Sequence, residues 1–253
     1  MSEYTIFRLI LFVFLGLAAF ACAGIFFVPV PYGRHNRPGW GLQLKAYLGW
    51  FLMESPSLYV FAIVWLVSPN RSGLVPLVFF SLWEAHYVQR SLIYPFLMRG
   101  KAKTMPLVIV LMAILFTSLN GYLNARWLFK FSGGYGPGWL KDPRFVIGTV
   151  LFVAGLAVNI HSDYLLRRLR KPGETDYKIP RGGLFRYVSC ANYFGEIVEW
   201  SGWALATWSL PGLAFAVWTA ANLAPRAHSH HRWYRRHFPD YPQDRKALIP
   251  FIA

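Results

Sequence analysis

The stretch 9-LILFVFLGLAAFACAGIFFVPVP-31 decides the fold class. It contains no charged residue, and it is longer than the roughly 20 residues a helix needs to cross a hydrocarbon core. Arg8 precedes it and Ala21-Cys22-Ala23 resembles a cleavage site, so a secretory signal is the competing reading. The run is long for such a signal, and similar runs recur down the chain. Working outward, spans are expected over 5–30, 46–67, 74–97, 106–129, 145–165, 187–209 and 211–230. Each is long and apolar without strand-like alternation, and backbone polar groups in hydrocarbon must be satisfied within the segment. The uncharged run from Trp200 to Pro225 is divided by Pro211-Gly212, a tight turn between two spans. The expected fold is an all-α integral membrane protein with seven transmembrane helices, a single domain over 1–253.

Composition agrees with that class. Of 253 residues, 55% are hydrophobic and only 15% charged, against about 25% in an ordinary soluble domain; mean hydropathy is +0.34. The formal net charge is +15. In a soluble protein that balance would suggest nucleic acid. Among apolar spans, the basic residues instead set topology and bind anionic headgroups or a phosphorylated ligand, so no nucleic-acid partner is expected. Most Lys and Arg fall in the 31–45, 98–105 and 163–186 loops and in the tail after Pro225. The positive-inside rule then places the C-terminus in the cytoplasm and the N-terminus outside. The housing membrane would be the endoplasmic reticulum in a eukaryote or the inner membrane in a bacterium, and the chain is expected to be a monomer. Cys22 and Cys190 form no CxxC or disulfide framework.

The polar residues inside or beside spans carry the functional signal. Asn159 and Asp163 stand at i, i+4, as do Asn192 and Glu196, with Glu199 one turn on, so each set shares a helix face. Seven Lys or Arg residues lie between the two sets. Amide, acid and base converging at the end of apolar segments point to a charged, phosphate-bearing cofactor. Gly173, Gly182, Gly183 and Gly195 would allow close backbone approach. There is no GxGxxG after a strand and no Walker loop, so the pocket is built from helix ends and loops.

Ionisable residues within spans are costly and mark function by default. Glu54 in WFLMESPS is either a Glu at a helix end, since Pro56 follows, or a buried neutral acid able to donate a hydrogen bond. Tyr87, Arg90 and Tyr94 share one helical face; an interfacial aromatic belt is the other reading of Tyr94. A phenol and a neutral acid aimed at one carbonyl oxygen would form an oxyanion hole, which makes Tyr87 and Glu54 the candidate catalytic pair. Glu84 is a second acid on the same helix, with no role assigned. In the tail RAHSHHRWYRRHF, a metal site would lack a completing carboxylate or cysteine, and none is expected. Arg226, His230 and Tyr234 share a face suited to a nucleotide; anionic lipid is the other use for the arginines.

The runs NIHSDYLLRRLRKPGE (159–174), YKIPRGGLFRYVSCANYFGEIVEW (177–200), ALATWSLPGLAFA (204–216), HHRWY (230–234) and DYPQDRKALIPFI (240–252) together closely resemble the steroid 5α-reductase family. The resemblance covers essentially the whole chain and is densest from Asn159 onward. It implies a membrane enzyme that uses NADPH to reduce the carbon 4–carbon 5 double bond of 3-oxo-Δ4 steroids, drawn from the bilayer. It places Glu54 and Tyr87 on the steroid carbonyl. It implies cofactor contacts at Asn159, Asp163, Arg170, Tyr177, Asn192, Glu196, Arg226, His230 and Tyr234, and at Tyr32, Arg90, Tyr94 and Lys101. Lys178 and Lys101 stand where relatives can carry Arg; Lys keeps the charge without the bidentate fork. The implied substrate wall is Trp50, Phe116, Phe215, Trp218 and Asn222, the last polar where a relative can be apolar. The substrate pocket would then come mainly from 1–130 and 211–225, and the NADPH pocket from 159–199 and 226–236. An enoyl reductase or a methyltransferase of similar architecture is the enzymatic rival, and a small transporter the non-enzymatic one.

Overall fold

The computed structural model describes residues 1–28, 30–35, 37–99, 103–171, 174 and 176–252. The principal helices are α1 (Glu3–Phe27), α2 (Ala46–Val67), α3 (Leu74–Tyr87), α4 (Tyr94–Leu97), α5 (Leu107–Arg126), α6 (Pro143–Arg168), α7 (Ala191–Thr207) and α8 (Leu210–His237). A π-helical turn, Val88–Ile93, joins α3 to α4, and a second, Trp127–Phe131, extends α5. Two three-residue strands, β1 (Gln43–Lys45) and β2 (Thr104–Pro106), pair antiparallel with Leu44 opposite Met105.

Four helices are long and apolar enough to cross a membrane: Glu3–Phe27, Ala46–Val67, Leu107–Phe131 and Pro143–Arg168. Their outward faces carry large apolar side chains, among them Phe12, Phe20, Ile63, Met112 and Val150. Such a surface suits lipid rather than water. The expected segments at 74–97, 187–209 and 211–230 are helical too, but they carry the polar residues that give the interior its chemistry. α6 ends three residues later than expected, at Arg168, and α8 runs seven residues further, to His237. α2 continues through Pro56, which places Glu54 mid-helix instead of at a helix end.

The chain runs back and forth between two ends. At one, Glu3 pairs with Arg126 at 2.6 Å and Lys130 at 2.5 Å, joining the start of α1 to the end of α5. At the other, Arg34 donates to the Tyr234 hydroxyl, and the C-terminal segment meets the start of α7 through Ser189 N–H to Lys246 O at 2.8 Å. This second end gathers residues 30–35, 37–45, 98–99, 103–106, 169–171, 176–190 and 238–252.

Lipid offers helices little hydrophobic reason to associate, so van der Waals packing and small residues must hold them together. The antiparallel pair α6–α7 shows this directly. A Cβ on Gly148, Gly155, Gly195 or Gly202 would collide with the facing helix backbone; at Gly195 it would stand 2.7 Å from Asn159 N. Only glycines permit this approach, and it brings Asn159 within reach of Asn192 and Glu196. An aromatic core lies between these helices and α2, α3 and α8, with ring centroids 4.5 Å apart for Phe61–Trp83 and 4.2 Å for Trp200–Phe215.

Candidate functional site

Glu54 on α2 and Tyr87 at the end of α3 come close enough to interact electrostatically. Tyr87 is buried, its ring held by Trp83 at 5.1 Å, His86 at 4.8 Å and Trp200 at 5.9 Å. Glu54 is half-buried. The π-helical turn begins at the next residue. Turns of this kind widen the helix and recur at functional sites. Here it carries the chain from Tyr87 to Arg90 and on to Tyr94.

Arg90 is the junction. Its guanidinium donates to Asp163 Oδ2 at 3.0 Å and lies 3.7 Å from Glu196 Oε2. It also sits over the rings of Trp50 at 4.8 Å and Tyr94 at 4.6 Å. Around it the two i, i+4 pairs interlock across α6 and α7. Asn192 Nδ2 donates to Asp163 Oδ1 at 3.2 Å, and Asn159 Nδ2 donates to Asn192 O at 3.0 Å and Glu196 Oε2 at 3.2 Å. Buried carboxylates need such partners. Asn159 Oδ1 remains buried without one among the described residues. Glu199, the second acid of the α7 face, turns away and pairs with His86 Nδ1 at 2.7 Å in the core.

Toward the loop end, cations and aromatic rings alternate. Arg226 lies over Tyr32 at 4.8 Å and Tyr193 at 5.5 Å, and donates to Asn222 Oδ1 at 3.1 Å. His230 bridges His35 and Tyr193, each at 3.2 Å. Arg34 sits among the rings of Tyr177, Trp233 and Tyr234, at 4.9, 4.9 and 4.5 Å. Arg170 and Lys103 also face Tyr177, at 4.8 and 4.1 Å. Among the described residues, none of Arg34, Lys103, Arg170 and Arg226 forms an ion pair with a carboxylate. Burial, reinforced by Arg170 and Arg34, pulls the Lys103 ammonium down to about 8. Burial, with Arg34, Arg226 and Arg37 nearby, pulls the His35 imidazole down to about 4. Cations facing rings rather than carboxylates suit a polyanionic ligand with a stackable base.

Most residues singled out from the sequence thus fall into this one region. Lys178 lies apart, half-exposed and paired with Glu174 at 2.6 Å. Lys101 and Gly173 lie outside the described residues. Phe116, Phe215 and Trp218 join one aromatic group with Phe14 of α1, Phe116–Trp218 at 5.0 Å and Phe14–Trp218 at 5.4 Å. Trp50 and Asn222 sit instead beside Arg90 and Arg226. The three histidines of the HSHH run diverge: His228 stacks on Phe26, His230 meets His35 and Tyr193, and His231 meets Ser189.

Residues 103–253 match the family model described as 3-oxo-5-alpha-steroid 4-dehydrogenase. The chain is 50% identical over 227 residues to 3-oxo-5-alpha-steroid 4-dehydrogenase 1 of Bos taurus, covering 88% of each chain. It is 49% identical over 225 residues to the protein of the same name from Homo sapiens, covering 87% of this chain and 85% of that one. A steroid 5-alpha-reductase of Gossypium hirsutum is 43% identical over 255 residues, covering 99% of each. The chain belongs to the 3-oxo-5-alpha-steroid 4-dehydrogenase family. It is therefore an oxidoreductase of steroid metabolism.

The structure also brings into this region Arg34, His35, Lys103, Tyr193 and Trp233, which the sequence did not single out as candidate site residues. Arg34, His35 and Lys103 lie in connecting segments, where no helical periodicity groups them. Tyr193 and Trp233 lie beside singled-out positions, Asn192 and Tyr234, and could have been drawn in as neighbours of a marked face.

Proposed function

We propose that this protein reduces the carbon 4–carbon 5 double bond of 3-oxo-Δ4 steroids to the 5α-dihydro products, using NADPH. The observation that carries the reading is the continuity of two half-sites. Tyr87 lies within electrostatic range of Glu54 on one side of the π-helical turn, and Arg90, three residues on, is tied to Asp163 and Glu196 on the other. The names of the relatives supply the substrate class.

The residues present fit the cofactor. Arg34, Arg170, Arg226 and Lys103, without a carboxylate partner among the described residues, would hold its phosphates, and the rings of Tyr177, Trp233 and Tyr234 its base. Asn159 Oδ1, buried without a partner among the described residues, can accept an N–H from a carboxamide. When bound, NADPH supplies the hydride that adds to carbon 5 of the steroid. Tyr87 and a neutral Glu54 donate hydrogen bonds to the carbon 3 oxygen, where negative charge develops as the conjugated system accepts the hydride. Addition of a proton at carbon 4 completes the reduction. The dry aromatic surround excludes water and holds both reactants in one place.

The steroid enters from the bilayer, past the wall formed by Phe116, Phe215 and Trp218. All seven helical segments cross the membrane, with the N-terminus outside and the cofactor end in the cytoplasm. The concentration of Lys and Arg at that end supports this orientation. The single domain acts as a monomer, with its substrate half formed mainly by the earlier helices and its cofactor half by α6, α7 and α8.

Replacing Tyr87 with Phe tests the reading. It removes one carbonyl donor while leaving the ring packing in place. The expected result is a fall in kcat of about 100-fold or more with NADPH Kd changed by no more than about twofold. Unchanged turnover would remove Tyr87 from the chemistry.

A further inference from the structure

We propose that Ser57 and Asn120 are positioning residues that donate hydrogen bonds to the Tyr87 oxygen, so that the Tyr87 hydroxyl hydrogen points at the substrate carbonyl. This rests on the reading of Tyr87 as a carbonyl-binding group. The basis is a chain of buried polar side chains that ends at Tyr87 and whose direction is set at its far end.

Trp203 Nε1 on α7 contacts Asn124 Oδ1 on α5 at 2.9 Å. An indole N–H can only donate, so it is the amide oxygen of Asn124 that faces it. The Asn124 Nδ2 then donates to the Asn120 backbone carbonyl and to Asn120 Oδ1, each at 3.1 Å. A backbone carbonyl only accepts, which independently requires the same orientation. With its oxygen engaged, Asn120 presents its Nδ2 at the other end. Among the described residues that nitrogen is buried without a hydrogen-bond partner, and it lies beside the Tyr87 phenol.

Ser57 Oγ is the second buried atom beside the phenol without a hydrogen-bond partner among the described residues. A helical serine usually bonds the carbonyl one turn back. Here that carbonyl, Met53 O, already accepts from Thr117 Oγ1 at 2.8 Å. The Ser57 carbonyl is held by Trp83 Nε1 at 3.3 Å. Gly121 allows α5 to approach, since a Cβ there would stand 3.2 Å from Ser57 O. Ser57 and Asn120 are 0% exposed, so bulk water does not reach them. Two unpaired polar atoms in a dry interior are costly, and bonds to the phenol oxygen remove that cost. Two donors on the Tyr87 oxygen also polarise its O–H. They leave its hydrogen free to turn toward Glu54, which lies within electrostatic range, and toward a ketone oxygen held there.

The experiment compares Asn120→Leu and Ser57→Ala, each in the wild-type and the Tyr87→Phe background. The readouts are kcat and KM with a 3-oxo-Δ4 steroid, and NADPH Kd. Each substitution is expected to lower kcat about tenfold in the wild type, the rate equivalent of one hydrogen bond, with NADPH Kd unchanged. In the Tyr87→Phe background, which lacks the oxygen, neither should lower kcat further. Equal losses in both backgrounds, or wild-type kcat in both single variants, would overturn the proposal while leaving Tyr87 its role. Wild-type turnover by Tyr87→Phe alone would remove that role and this proposal with it. Ser57→Ala, the smaller change, decides the matter by itself if Asn120→Leu does not fold.

Discussion

Lys103 and His35 show how single residues report the ligand their site is built for. The Lys103 ammonium, pulled down to about 8 by burial and by Arg170 and Arg34, loses its proton above that pH and regains it when an anion enters. The sign is fixed by that direction: the unliganded site favours the neutral amine, and a bound phosphate favours the ammonium. NADPH affinity should therefore weaken as pH rises through about 8, with proton uptake on binding in that window. His35, held down to about 4, is already neutral there and contributes nothing to the change. Titrating affinity against pH for the wild type and Lys103→Met checks this. The variant should show the flatter profile, and identical slopes would contradict it. The same scale explains what the sequence could not show. Ser57 and Asn120 are small polar residues in apolar helices, and their importance comes only from which atom is left over once Trp203 and Thr117 have taken their partners.

At the scale of elements, α6 and α7 were the most legible part of the chain. The spacing of Asn159, Asp163, Asn192 and Glu196 put each pair on one face, and in the folded chain the pairs interlock around Arg90. The glycines that make this possible were less legible, because close approach depends on the facing helix. The π-helical turn after Tyr87 was not visible at all: no residue type announces a widened turn, and its effect is to set Tyr87, Arg90 and Tyr94 on the two half-sites. Gly195→Ala tests the helix contact. Its methyl would meet Asn159 N at 2.7 Å, and overpacking of this kind costs about 1–3 kcal/mol or more. A lower thermal midpoint and weakened NADPH binding are expected together. Unchanged values for both would mean that the α6–α7 spacing does not govern the polar network.

For the molecule as a whole, the all-helical class and the polarity of its two ends followed from apolar runs and the distribution of Lys and Arg. The loop end remained obscure because its contacts join distant segments: Arg34 to Tyr234, Ser189 to Lys246, Arg99 to the Arg170 carbonyl. The proposed orientation can be checked with single cysteines in a background lacking Cys22 and Cys190. Gly136 and Arg181 are both exposed, in segments at opposite ends of the helices. In intact cells, a membrane-impermeant maleimide should label Gly136→Cys and spare Arg181→Cys. The reverse pattern would invert the topology.

The two half-sites, taken together, make one demand on the whole protein: steroid reduction must be stoichiometric with loss of the reduced cofactor. The direct measurement is product analysis on the purified protein given NADPH and a 3-oxo-Δ4 steroid such as testosterone or progesterone, with cofactor absorbance followed in parallel. One 5α-dihydro steroid formed for each NADPH oxidised is the predicted result. Steroid recovered unchanged by a folded, NADPH-binding protein across a panel of such steroids would contradict the account.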